Sequence, residues 1–207
     1  LDLEGGEIIT SPMTFVSANH AILYTKAIPV FCDIEPDTLN IHPEKIEPLV
    51  TENTKAIVVV HYGGYAVDMD KILRIAERYN LHVIEDTAHG CGGEYQGRKL
   101  GSIGTLGCFS FHAVKNLATG DGGMITTTRA DYYEALKKYV WYGVDREGRE
   151  PGIDGLPEDI DVLGFKYNMN DITATLALAG LRHIEKPLAR RRVIGERYRA
   201  ELSQCRR

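Results

Sequence analysis

The chain has 207 residues, 43% of them hydrophobic, which is enough for one substantial core. Its 24 Lys and Arg are interspersed with 29 Asp and Glu, a net charge of −5, so it lacks the basic footprint of a nucleic-acid binder or of a polybasic membrane patch. No apolar run approaches the roughly 20 residues of a bilayer span. The four cysteines lie far apart with no C-x-x-C pair, which predicts a reducing, cytoplasmic setting and no structural zinc.

Strands alternate with helices along the chain. EIIT, residues 7–10, reads as a short strand close behind a start that has no initiator Met. A helix over 17–26 is expected to turn Ala18, Ala21, Ile22 and Leu23 inward. IPVFCDI, 28–34, is nearly continuous in apolar residues and predicts a strand covered on both faces. A turn and short helix follow over 37–50, with Pro43 suited to the first turn. TKAIVVVHY is β-branched and apolar, the clearest strand signal in the chain. DMDKILRIAERYN then predicts a helix with Met69, Ile72, Leu73, Ile75 and Ala76 on one stripe.

The strand HVIED comes next, followed by a glycine-rich loop over 90–107, the strand GCFSFH and the strand GGMITTT. A helix over 131–141, a long polar loop over 143–163 and two closing helices complete the pattern. It predicts an α/β domain with a largely parallel sheet. In such sheets ligands bind beyond the carboxyl ends of the strands, so the residues just after each strand are the candidates for chemistry.

Asp86 ends HVIED. It reads either as a turn or capping acid, or as a carboxylate held for a cation. Metal binding is disfavoured, because EDTAH offers Asp86 and His89 without a third ligand at suitable spacing. Lys115, in GCFSFHAVKN, follows Phe109, Phe111 and Val114. It reads either as a snorkelling lysine or as a desolvated amine whose neutral form is a nucleophile. Ser110 and His112 share one strand face, but no G-x-S-x-G elbow surrounds Ser110. GSIGTLG lacks nucleotide-fingerprint spacing, and the remaining histidines read as satisfied or surface groups. An acid at one strand end and a lysine after another suggest pyridoxal phosphate, with the amine on the aldehyde and the acid on the pyridine nitrogen.

Three ordered motifs carry a resemblance: Glu85–His89 (EDTAH), Ser110–Asn116 (SFHAVKN) and Gly120–Gly123 (GDGG). With the flanking stretches 7–41 and 167–186, they make the chain similar to the DegT/DnrJ/EryC1/StrS nucleotide-sugar aminotransferases. The resemblance implies a fold type I, aspartate-aminotransferase-like large domain: a three-layer α/β sandwich with a mainly parallel mixed sheet. It implies pyridoxal 5'-phosphate as cofactor, with Lys115 as the aldimine lysine and proton carrier and Asp86 on the pyridine nitrogen. His89 would stand near the ring hydroxyl, where many relatives carry glutamine. Phe15 would stack on the ring, Ser110 would bind the phosphate, and Asn168 would reach a neighbouring subunit's phosphate in a homodimer.

The implied reaction takes an amino group from an amino acid, glutamate in most relatives, to a keto-sugar nucleotide. The products serve cell-surface glycan, lipid A or deoxyaminosugar synthesis. Cyclitol-directed relatives and a non-catalytic remnant of the fold are the alternatives. Relatives are roughly twice as long. Residues 1–165 therefore read as a cofactor-binding large domain missing its N-terminal part, and 166–207 as a helical segment leading towards an absent small domain. Alone, the chain is expected to bind cofactor weakly. Gly180 stands where relatives often have glutamine.

Overall fold

A computed structural model describes residues 1–145, 160, 162–203 and 205. The first half comprises β1 (Glu7–Thr10), α1 (Val16–Tyr24), β2 (Ile28–Phe31), β3 (Thr54–Val60), α2 (Met69–Tyr79) and β4 (His82–Asp86). The second comprises β5 (Glu94–Tyr95), β6 (Arg98–Lys99), β7 (Leu106–Ser110), β8 (Gly123–Thr126), α3 (Ala130–Tyr139), α4 (Asp171–Leu181) and α5 (Glu185–Leu202). Most of the polar loop expected over 143–163 lies outside the described residues.

Six strands form one sheet in the order β2-β1-β3-β4-β7-β8, all parallel except β8, which runs antiparallel to β7. β3 sits at its centre because its β-branched side chains can be buried on both faces. Alternation along the strands divides the core. Ile9, Ile57, Val59 and Val83 pack on one side with Met69, Ile72 and Ala76 of α2. Ile8, Ala56 and Val58 pack on the other side with Ile22 of α1. The result is a three-layer α/β sandwich with a mainly parallel mixed sheet.

Several expectations need correction. The run 28–34 is not covered on both faces: β2 is an edge strand, with Ile28 and Phe31 more than half exposed. Continuous apolarity marks what a strand can bury, and its place in the sheet is decided by pairing, which periodicity does not encode. In α1 only Ile22 is buried, while Ala21 and Leu23 face out. The helix expected after residue 37 is two short 3-10 turns, Pro43–Lys45 and Glu47–Leu49. Inside the loop 90–107, β5 and β6 form a small antiparallel hairpin.

Candidate active site

The site lies at the carboxyl ends of β3, β4 and β7. Along β4 the side chains alternate, so Val83 and Glu85 are buried while Asp86, at the last position, is half-buried on the other face. Glu85 is fully buried. Its Oε2 accepts from His61 Nε2 at 3.0 Å and from the Gly101 amide at 2.8 Å; its Oε1 accepts from the amides of Ile103 (2.7 Å) and Gly104 (2.6 Å). His61 is equally buried, and its Nδ1 accepts from the Val67 amide at 3.2 Å. That bond leaves the imidazole proton on Nε2, aimed at Glu85. The pair thus ties the end of β3, the end of β4 and the loop before β7 into one block beneath Asp86.

Asp86 shows features of both of its readings. Its Oδ1 accepts from the Ala88 amide at 3.0 Å, the work of a turn acid. Its Oδ2 has no hydrogen-bond partner among the described residues and remains available for a cation. Three residues on, His89 Nδ1 accepts from the Gly63 amide at 3.3 Å, which places the proton on Nε2. Burial, and then the charge of Lys115, push the His89 imidazole below its usual 6.5, with Asp86 opposing. His89 is therefore a neutral donor at pH 7. Gly64 (φ +84°) makes this approach possible, because a Cβ there would lie 2.8 Å from the His89 carbonyl oxygen.

Lys115 is half-buried, between the snorkelling lysine and the desolvated amine that its sequence context allows. β7 ends at Ser110, and Lys115 lies further on in a turn where its amide donates to His112 O at 2.9 Å. Phe111 is buried, Phe109 packs on Gly101, and Val114 is exposed, so the aromatics leave Lys115 half-buried. The Lys115 ammonium has no hydrogen-bond or ion-pair partner among the described residues. It shares with Ala88 and His89 a cleft of about 1020 Å³, walled also by Gly63–Tyr65, Gly90–Gly93 and the inner face of α5. Asn116 Nδ2 fastens the lysine turn to the Cys91 carbonyl at 3.0 Å.

The other expected residues stand apart from that cleft lining. Ser110 closes β7, beyond the position that pairs with Asp86, and its Oγ accepts from the His112 amide at 3.3 Å. Phe15 caps α1 after β1 and is 75% exposed, with no aromatic partner among the described residues. Asn168 precedes α4; its Oδ1 accepts from Lys166 Nζ at 2.7 Å and its Nδ2 donates to Met169 O at 3.3 Å. Gly180 lies against Leu117, whose Cδ1 would be 2.7 Å from a Cβ at that position, so glutamine there would displace Leu117. Sequence reasoning missed Glu85, although its parity with Val83 put a carboxylate on the buried face of β4. It also passed over Gly63–Tyr65 and the inner face of α5, which carry no motif.

The profile of the DegT/DnrJ/EryC1/StrS aminotransferase family matches residues 1–207, and the chain belongs to that family. Spore coat polysaccharide biosynthesis protein SpsC of Bacillus subtilis is 42% identical over 202 residues, which cover 97% of this chain and 52% of SpsC. Among solved structures, AtS13 from Actinomadura melliaura matches with a TM-score of 0.90 and 34% identity over 97% of this chain and 55% of its own. Helicobacter pylori PseC, an aminotransferase involved in the biosynthesis of pseudoaminic acid, matches with a TM-score of 0.81 and 30% identity, over 89% and 48% respectively. The chain spans about half the length of the curated relatives it matches.

Proposed function

We propose that this chain is the cofactor-holding part of a sugar aminotransferase that uses pyridoxal 5'-phosphate. The observation that carries the reading is the Lys115 amine, without a polar partner among the described residues, sharing a cleft with neutral His89, whose imidazole also senses Asp86. These groups fit the cofactor's own: an amine for its aldehyde, a free carboxylate oxygen to accept from a protonated ring nitrogen, and an N–H to donate to its ring oxygen. When bound, the cofactor supplies an electron-withdrawing ring joined to the reacting nitrogen. Lys115 would hold it covalently and, once displaced, carry the proton between cofactor and substrate carbons. Asp86, fixed through Oδ1, would keep its other oxygen on the ring nitrogen, while Ser110 would bind the phosphate and Phe15 would cover the ring.

The amino group would come from glutamate and pass to a keto-sugar carried on a nucleotide. Family membership, and the parts played by SpsC in spore coat polysaccharide biosynthesis and by PseC in pseudoaminic acid biosynthesis, support a sugar acceptor. Residues 1–165 would form the cofactor-binding domain, with 166–207 leading to a second one. A second copy of the chain would complete the site through Asn168, and a cytoplasmic setting suits a nucleotide-linked substrate. No helix among the described residues is long and apolar enough to cross a membrane.

Amino transfer from glutamate to a keto-sugar nucleotide, followed by mass spectrometry of the sugar, tests the reading. Lys115→Ala is expected to lower the rate by at least about a thousandfold while leaving far-UV circular dichroism unchanged. Transfer at the wild-type rate by that variant would remove Lys115 from the chemistry.

A further inference from the structure

The turn that follows β3 is exposed at its tip and anchored by buried polar groups underneath. Tyr62–Gly64 forms a single 3-10 turn in which Gly63 (φ 60°) and Gly64 (φ 84°) are left-handed, and Tyr65, which ends it, is 62% exposed. Beneath it lies Asn40, from the segment after β2, only 2% exposed. Asn40 Oδ1 accepts from the Tyr62 amide at 2.9 Å and its Nδ2 donates to the Tyr65 carbonyl at 3.0 Å, so one side chain clasps both ends of the turn. His61 holds the turn from the β3 side with all four of its polar groups. Its amide donates to the Asp86 carbonyl at 3.1 Å, and its carbonyl accepts from the Gly64 amide at 2.9 Å. Its Nδ1 accepts from the Val67 amide, and its Nε2 donates to Glu85.

Burying polar side chains is unfavourable unless each is hydrogen-bonded. Asn40, His61 and Glu85 all are, and what they hold is a short turn of exposed residues. Packing does not account for that investment in order, because a Cβ on Gly63 would meet nothing within 4 Å. What the turn does touch is His89. The Gly63 amide donates to His89 Nδ1 at 3.3 Å, and the Tyr62 ring meets the imidazole edge-on, with centroids 6.2 Å apart and planes at 80°. A neutral imidazole has one N–H and one lone pair, and the bond made by one nitrogen decides which carries the proton. An amide aimed at Nδ1 therefore leaves the proton on Nε2. His89 Nε2 has no hydrogen-bond partner among the described residues.

We propose that the turn Tyr62–Tyr65 is a template that sets the tautomer and plane of His89, with Asn40 and His61 as its positioning residues. Neither Asn40 nor His61 lines the cleft that holds His89 and Lys115, so both act on His89 through the turn. The use of the resulting Nε2–H, as a donor to the cofactor's ring oxygen, rests on the amino-transfer reading; the tautomer itself does not.

Proton–nitrogen correlation NMR of the chain carrying isotope-labelled histidine tests the template without any cofactor. The spectra are taken at about pH 8, above the ordinary imidazole range, and His89 is assigned by the signal lost in His89→Gln. The wild-type chain is expected to hold His89 as the Nε2–H tautomer. Asn40→Ala frees the turn from beneath, and Gly64→Ala pushes it off His89 with a Cβ that would lie 2.8 Å from the His89 carbonyl oxygen. Each should lower the ratio of Nε2–H to Nδ1–H about 3- to 10-fold, as expected for the loss of one hydrogen bond. Ile22→Val, in the core on the opposite face of the sheet, is the control for a general loss of stability and should leave the ratio unchanged. An Nδ1–H tautomer in the wild type, a wild-type ratio in the folded variants, or an equal shift in Ile22→Val would each overturn the template. If Asn40→Ala does not fold, Gly64→Ala and the wild-type spectrum decide. Borohydride labelling of Lys115 by pyridoxal phosphate, run in parallel, separates the two readings. A chain that labels with His89 in the other tautomer overturns the template alone, and one with the expected tautomer shifts but no label overturns amino transfer alone.

Discussion

At the residue scale the costliest group is Glu85, a fully buried carboxylate kept charged by one imidazole and three backbone amides. Burial acts to raise its carboxyl, but the hydrogen bonds from His61, Gly104, Gly101 and Ile103 outweigh that effect and hold it below the ordinary 4.5. The unfolded chain therefore takes up this proton at a higher pH than the folded one. Stability from Glu85 is present above about pH 4.5 and declines as pH falls below it towards the depressed folded value. Glu85→Gln is expected to cost about 2–4 kcal/mol at pH 7, because its amide replaces one acceptor with a donor facing donors. Urea midpoints measured from pH 7 to pH 3 should fall less steeply in the variant than in wild type. Parallel curves would show that Glu85 is not held charged. The sequence revealed Asp86 because a strand-ending acid is a familiar sign, but it hid Glu85, whose amide partners come from a loop 16 to 19 residues away.

The elements whose ends are written in local chemistry were the legible ones. α2 begins where Asp68 accepts from the Lys71 amide at 3.2 Å and stops where Asn80 adopts a left-handed conformation (φ 53°). Its predicted stripe is the one that packs against β3 and β4. Asp68 also accepts from the Tyr95 hydroxyl at 2.9 Å, so the cap joins α2 to the β5–β6 hairpin. Asp68→Ala is expected to cost about 1–2 kcal/mol in chemical denaturation, and a loss below about 0.3 kcal/mol would mean that the cap is idle. β2 and the hairpin were misread for a different reason. Two-residue strands have no periodicity to detect, and an apolar run cannot say which strand it will pair with. The inner stripe of α5 is regular, but its polar and glycine positions give no hydrophobic signal.

At the scale of the whole chain, a group of apolar side chains lies exposed among the described residues. Ile172, Leu176 and Leu178 on α4 and Met124 and Ile125 on β8 are all exposed, beside the segment that carries Asn168. Surfaces of this kind mark association, and they support the proposal that a second copy packs here. Light scattering at micromolar concentration should give twice the chain mass, and a monomer across that range would contradict the shared site. Charge, too, is uneven at this scale, with an acidic body and a basic cleft beside Lys115.

The central claim is that Lys115, alone among the chain's lysines, receives the cofactor. Saturation of the folded chain with pyridoxal phosphate, borohydride reduction and peptide mass mapping tests it most directly. The account predicts a single stoichiometric adduct within residues 112–119, on Lys115. A folded chain whose label falls on other lysines, or that takes no label, would contradict it.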